Sequence, residues 1–205
     1  MPSWAWILVT VAVLCIAAVA LSACQRGYDN PVVLGTLVVA DAVSGEGPSA
    51  ADQRRWNAEA QQAVADLKAL CANIETGYRD TAALKANAAR AEALGLAVGY
   101  DTMQPRHRAC VAFHAEAAGH FDVAYRLFFS AAVNSLSERS WIAEHGNTKR
   151  PEILSDTLHY AVLDAILRLR KAGHAIDIYH VGSERVTGYT CARLRKEAPQ
   201  YATCR

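Results

Sequence analysis

The sequence lacks the short motifs that mark many catalytic centres. It contains no Gly-x-Ser-x-Gly elbow, no phosphate-binding glycine loop and no dinucleotide-binding glycine pattern. Its seven histidines include no His-Glu-x-x-His motif and no pair at four-residue spacing. We therefore expect no cofactor, and any catalytic site in this chain would have to be built from residues scattered along the sequence.

The chain also lacks a charge imbalance. Lys and Arg number 21 while Asp and Glu number 20, so the formal net charge is +1. No long run of like charge interrupts this balance. The composition argues against nucleic acid or an anionic membrane surface as the main partner.

Charge is absent from the amino-terminal segment as well. No charged side chain occurs before Arg26, and residues 4–23 form an apolar stretch that ends in Leu21-Ser22-Ala23-Cys24, with Gln25 following. This order resembles the lipobox at which bacterial lipoprotein precursors are lipidated and cleaved. The resemblance implies a signal peptide over 1–23, lipidation of Cys24 and a place in the bacterial cell envelope. In bacterial lipoproteins, an Asp directly after the lipidated cysteine retains the protein in the inner membrane. Gln25 at this position implies the outer membrane, with the domain facing the periplasm.

The apolar segment has two other interpretations. Its 20 residues would span about 30 Å as a helix, which is enough for an uncleaved transmembrane anchor. Ordinary cleaved export is the third possibility, and the lack of Lys or Arg before the apolar stretch is unusual for any signal peptide. All three interpretations imply that the rest of the chain is exported. We divide that part into a tether over 24–48 and one helical domain over 49–205.

Four cysteines lie in the exported domain, namely Cys71, Cys110, Cys191 and Cys204. An oxidising compartment favours two disulfides, and four cysteines allow three pairings. We prefer Cys71 with Cys110 and Cys191 with Cys204, because each bond would join consecutive elements. A metal site is the rival interpretation, but no Cys-x-x-Cys or zinc-finger histidine spacing supports it.

The apolar pattern of the domain is helical. Apolar residues recur every three to four positions between turn and capping residues. The predicted helices run from Ser49 to Gly77, Thr81 to Leu94 with Gly95 as the stop, Pro105 to Gly119, Phe121 to Asn134, Ser137 to Glu144, Pro151 to Gly173, and Cys191 to Lys196. One short strand is expected over 176–181, with a turn at Gly182-Ser183. The fold class is therefore mostly α: a signal or anchor helix, then an irregular helical bundle or helical-hairpin array with little strand, stapled by disulfides.

One helical pair resembles a tetratricopeptide repeat. Gly119-His120-Phe121-Asp122-Val123-Ala124, followed by Phe128 and Ala131, has the turn glycine, aromatic and small residues of that repeat's second half. Upstream, Ala112 and Ala115 fit, whereas Arg108 replaces an aromatic. The resemblance covers 105–134 and implies a repeat-like hairpin that binds protein, while a plain helical hairpin is the alternative.

A second resemblance involves residues 157–182. Thr157-Leu158-His159-Tyr160 and Asp164-Ala165-Ile166 look like the helix before the first catalytic strand of arginine-specific mono-ADP-ribosyltransferases. That family then has Tyr-Arg-Gly for NAD, where this chain reads Tyr179-His180-Val181-Gly182. The later Ser-x-Ser strand and catalytic Glu-x-Glu loop have no counterpart. This resemblance implies a truncated or degenerate relative.

Five residues are candidates for a contact surface or pocket. Phe129 and Trp141 would form an aromatic contact, or Trp141 with Ile142 would cover Phe129 inside the fold. His159, Tyr179 and His180 would line a deep pocket if the protein were an enzyme, although His159 on an apolar helix is typical of a core histidine.

The leading hypothesis from the sequence is a non-catalytic envelope lipoprotein. Its helical domain would bind a protein partner as an assembly factor, accessory subunit or immunity-type inhibitor. The alternatives are an ADP-ribosyltransferase-like protein and a structural envelope component. An apolar groove would favour binding, a polar pocket an enzyme, and a uniformly charged surface the structural role.

Overall fold

A computed structural model describes residues 49–146, 153–178 and 183–204. Throughout these ranges the regular structure is helical and no strand occurs. The helices are α1 (Ala50–Leu70), α2 (Ile74–Gly77), α3 (Thr81–Ala86), α4 (Ala88–Val98), α5 (Pro105–Ala118), α6 (Phe121–His145), α7 (Asp156–Lys171), α8 (Ser183–Thr187) and α9 (Cys191–Glu197). The mostly α prediction is confirmed. The lipobox, the tether and residues 179–182 lie outside the described residues.

The chain divides into two compact units, Met1–Arg55 and Trp56–Arg205. Of the first unit, the structure describes only the start of α1. There the Ser49 hydroxyl accepts a hydrogen bond from the Asp52 backbone N–H at 3.1 Å and donates to the Asp52 carboxylate at 2.6 Å. This capping arrangement satisfies a backbone donor at the helix start, as the sequence predicted.

The second unit is built around the hairpin of α5 and α6. Eight consecutive residues of α5, from Arg108 to Ala115, are buried, so this helix is enclosed on every side. Gly119 ends it with φ 87°, a left-handed conformation that glycine adopts without steric cost. The predicted boundaries at Pro105 and Gly119 are confirmed. Small alanines let α6 approach closely, and Phe113 and Phe128 meet edge to face with ring centroids 4.7 Å apart.

Helices α3 and α4 cover one side of α5. We expected one helix here, but the chain breaks at Asn87, whose side-chain amide donates to the Ala83 carbonyl at 3.0 Å. Side-chain hydrogen bonds to the backbone compete with the backbone hydrogen bonds of a helix. Gly95 was expected to stop the helix and instead lies within α4, which ends at Gly99. A Cβ at position 95 would sit 2.6 Å from the Tyr100 ring, so this glycine serves close packing.

The other side of the core is formed by α7 with the carboxyl-terminal elements. Ten residues of α7 are buried, and it packs on α6 and α5. We expected this helix to begin at Pro151, but it begins at Asp156, after the Ser155 hydroxyl that accepts from the Leu158 N–H at 3.3 Å. Cys191–Glu197 matches the predicted last helix within one residue.

Three further predictions need correction. The helix expected from Ser49 to Gly77 is interrupted between Leu70 and Ile74, where backbone hydrogen bonds shift to three-residue spacing at Ala72. The two helices expected over 121–144 form the single helix α6. The region predicted as a strand is neither helix nor strand over 176–178, and the turn expected at Ser183 is the start of helix α8.

Two disulfides link separate elements of the fold. Cys71 bonds to Cys110 with a Cα–Cα distance of 5.8 Å, and Cys191 bonds to Cys204 at 6.0 Å. Both preferred pairings are therefore confirmed. The first bond joins the end of α1 to α5, while the second joins α9 to the final residues of the chain. Loop closure of this kind stabilises a fold by about 2–4 kcal/mol per bond.

Candidate functional site

Of the five contact or pocket candidates from the sequence, the structure describes the side chains of Phe129 and His159. Phe129 and His159 are buried, with 2% and 4% of their surfaces exposed. Trp141 lies on α6 itself, downstream of Phe129, so it does not belong to a separate covering helix. Tyr179, His180 and Cys24 lie outside the described residues.

His159 sits inside the domain on α7. Its Nδ1 lies 3.2 Å from the hydroxyl of the fully buried Ser135, and its ring meets Tyr160 edge to face. Burial, reinforced by the nearby Arg139 guanidinium, lowers the pKa of His159 to about 4. A neutral, enclosed histidine without access to solvent is suited to holding α7 against α6.

One opening in the second unit is a cleft that we call the aromatic cleft. It has a volume of about 480 Å³, and α3, α5, α7 and the carboxyl-terminal segment form its walls. It is lined by Tyr78, Arg79, Thr81, Leu84, Phe113, Glu116, Ala117, Phe121, Ala161, Asp164, Arg168, Tyr201 and Thr203. Most of this lining is apolar.

The rings of the aromatic cleft are fixed by neighbouring groups. Tyr78 and Phe113 lie with centroids 5.3 Å apart, and the Arg79 guanidinium covers the Tyr78 ring at 5.2 Å. Tyr201 stacks on Tyr160 at 5.9 Å. These contacts hold the apolar walls open in one arrangement, which lowers the entropic cost of binding a ligand.

One wall of the cleft carries a charged cluster. Arg168 donates to the Glu116 carboxylate at 2.6 Å and to the Asp164 carboxylate at 3.1 Å. Burial alone would lower the pKa of the Arg168 guanidinium, but hydrogen bonds to Glu116 and then Asp164 outweigh it and raise that pKa. The Arg168 side chain is 40% exposed. It therefore presents a fixed, permanently positive donor beside the rings.

Asp164 also fastens the carboxyl-terminal segment that forms the rim of the cleft. Its carboxylate accepts the backbone N–H groups of Thr203 at 2.7 Å and Cys204 at 2.9 Å, and the Thr203 hydroxyl as well. Asp164 is 4% exposed. Its carboxylate is thus committed to structure and to Arg168, and has no vacant role as a general base.

Sequence reasoning missed this cluster. Arg168 bridges two carboxylates, and Arg170 donates to the Tyr125 hydroxyl at 2.9 Å. The sequence feature that could have indicated the cluster is the Asp164–Arg168 pair, four residues apart on a helix whose other faces are apolar. Its partner Glu116 lies 52 residues upstream, where no local pattern points to it.

The described residues carry no metal-binding group of three or more His, Cys, Asp or Glu side chains. In the same part of the chain, no helix combines the length and apolarity needed to cross a membrane. No known protein family, no curated protein and no solved structure matches the chain.

Proposed function

We propose that this protein is an envelope lipoprotein, anchored through Cys24, whose helical domain binds a protein partner in the aromatic cleft. The supporting observation is that four aromatic residues, Tyr78, Phe113, Phe121 and Tyr201, line the same cleft as Arg168, whose side chain is 40% exposed. Aromatic and arginine side chains dominate the binding energy of protein interfaces. In this proposal the protein acts as an assembly factor, accessory subunit or immunity-type inhibitor.

The dimensions and chemistry of the cleft suit an apolar side chain of the partner next to a hydrogen-bond acceptor. Its volume of about 480 Å³ lies within the range of ligand pockets, about 300–1,000 Å³. The rings would contact the apolar group, and Arg168 would donate to a backbone carbonyl or carboxylate. Since Glu116 and Asp164 already hold the guanidinium, little side-chain entropy is lost on binding.

Binding is favoured over catalysis because the polar groups of the cleft engage one another. Glu116 and Asp164 both accept from Arg168, and Thr203 is bonded to Asp164. A general base needs a free lone pair aimed at the substrate. Of the three residues that the enzyme hypothesis named, His159 lies in the core and does not line this cleft, while Tyr179 and His180 lie outside the described residues.

The test is photo-cross-linking of the full chain in its own membrane. A photoreactive amino acid replaces Thr81, an exposed residue at the cleft edge. Ala117→Trp fills the cleft, and Ala89→Trp adds the same bulk at an exposed position on α4. We expect a discrete protein adduct from position 81 that falls about fivefold in Ala117→Trp, which corresponds to about 1 kcal/mol of binding energy.

The matched variant decides the interpretation. Ala89→Trp should leave the yield unchanged, and thermal unfolding must show that both variants are folded. An absent adduct, or equal yields in the two tryptophan variants, would rule out the aromatic cleft as the contact site. Substrate turnover by the purified protein that is lost on filling the cleft would replace binding with catalysis.

A further inference from the structure

A second cleft lies at the junction of α1, α2, α5 and the residues just before α7. Its volume is about 560 Å³ and, unlike the aromatic cleft, its lining is mostly polar. Three cationic or titratable basic side chains reach it: Lys68, Arg106 and His107. Gln104 and Ser155 add an amide and a hydroxyl. We call this opening the basic cleft.

The Cys71–Cys110 disulfide sets the positions of these groups. Lys68 lies three residues before Cys71 on the last turn of α1, and Arg106 and His107 lie four and three residues before Cys110 on the first turn of α5. The bond holds the two Cα atoms 5.8 Å apart, and Cys71 itself lines the cleft. The basic groups of two distant segments are therefore fixed opposite each other.

The electrostatics of the basic cleft favour an anion. The pKa of His107 is lowered by burial first, then by the positive charges of Arg106 and Lys68. Arg106 donates to the Ala72 carbonyl at 2.8 Å and lies 4.0 Å from the carboxylate of Glu75. Glu75, whose carboxylate also lines the cleft, offsets part of the charge of Arg106, and Lys68 adds a further positive charge. A bound anion would oppose the effect of Arg106 and Lys68 on His107 and so raise the pKa of its ring again.

We propose that the basic cleft binds the phosphate group of a small molecule or lipid headgroup. Its donors come from α1, α5 and the cap of α7, so they approach from several directions. The oxygens of a phosphate group point in tetrahedral directions, so they can accept from donors on several sides. A planar carboxylate presents its two oxygens in one plane and fits these donors less well. The cleft exceeds a phosphate in volume, which leaves room for the group esterified to it. This site is independent of the aromatic cleft.

The test measures binding to the full chain in non-ionic detergent by calorimetry. Glycerol 3-phosphate represents a soluble ester, and phosphatidic acid in mixed micelles of the same detergent represents a lipid source. Lys68→Glu reverses the charge of an exposed residue in the cleft, and Lys85→Glu makes the same change on α3, away from it. We expect Lys68→Glu to weaken binding about tenfold, the loss expected for one charge-assisted hydrogen bond.

The control and the two ligands make each outcome decisive. Binding of either ligand that is weakened by Lys68→Glu and retained in Lys85→Glu supports the site and identifies its source. No binding of either ligand overturns the proposal. So does equal weakening by the two variants, because that result would reflect net charge alone. Competition by equimolar acetate would also overturn it, since the cleft would then accept carboxylates without preference.

Discussion

At the scale of single residues, the buried pair His159 and Ser135 links the stability of the domain to pH. The pKa of His159 is about 4 in the folded protein, against about 6.5 for an unperturbed histidine. Between about pH 4 and pH 6.5, His159 therefore binds a proton in the unfolded chain but stays neutral in the folded domain. The stabilisation is complete above about pH 6.5 and is lost as the pH falls toward 4.

We predict that protonation of His159 in the unfolded chain lowers the unfolding free energy by about 2 kcal/mol when the pH falls from 7 to 5. His159→Gln keeps a hydrogen-bonding side chain near Ser135 and cannot become charged. The difference in unfolding free energy between the two pH values should shrink by that amount in His159→Gln. Denaturant titrations monitored by circular dichroism give the measurement. An imidazole resonance that vanishes in His159→Gln and titrates near pH 6.5 would contradict the prediction.

At the scale of elements, the carboxyl-terminal segment is attached to α7 through one buried carboxylate. Asp164 accepts two backbone N–H groups, from Thr203 and Cys204. We predict that Asp164→Ala lowers the unfolding free energy by about 3 kcal/mol, because both donors and Arg168 lose a buried acceptor. Urea denaturation measures this loss.

The control for that prediction is Asp177→Ala, which removes an exposed carboxylate from a non-helical segment. This substitution should change the unfolding free energy by no more than about 0.5 kcal/mol. Hydrogen exchange adds a local test, since the amides of Thr203 and Cys204 should lose protection in Asp164→Ala. Similar losses of stability in the two variants would show that Asp164 does not fasten the segment.

Helix boundaries were predictable where a local signal sets them. Pro105 and Gly119 act through their own backbone, and the structure uses each as expected. Gly95 misled the prediction because its role depends on Tyr100, which only the folded chain brings against it. The break at Asn87 was missed because alanines on both sides maintain the helical period.

The aromatic cleft was less predictable than the helices. Its rings come from segments that the sequence separates by up to 123 residues, between Tyr78 and Tyr201. Periodicity shows which face of a helix is apolar, but not which apolar faces leave a gap between them. Phe129 illustrates the limit: the sequence left both a contact surface and burial open for it, and tertiary packing buries it.

At the scale of the whole molecule, the lipoprotein hypothesis predicts a defined covalent form. The membrane-extracted protein should have the mass of residues 24–205 plus two or three acyl chains, with four cysteines protected from alkylation until reduction. Cys24→Ala should abolish the acylated form and leave the disulfides intact. Intact-mass spectrometry provides the measurement. An unprocessed Met1 terminus with free thiols would contradict both the anchor and the exported location.

The Cys71–Cys110 bond also determines how the protein would bear tension. A pull on the amino terminus travels along the backbone of α1 to Cys71, then crosses the sulfur bridge directly to α5. The residues between the two cysteines, which include α2, α3 and α4, form a loop outside that load path. In the proposed lipoprotein, mechanical stress on the anchored end would thus be delivered to α5, and α3, which forms one wall of the aromatic cleft, would be shielded from it.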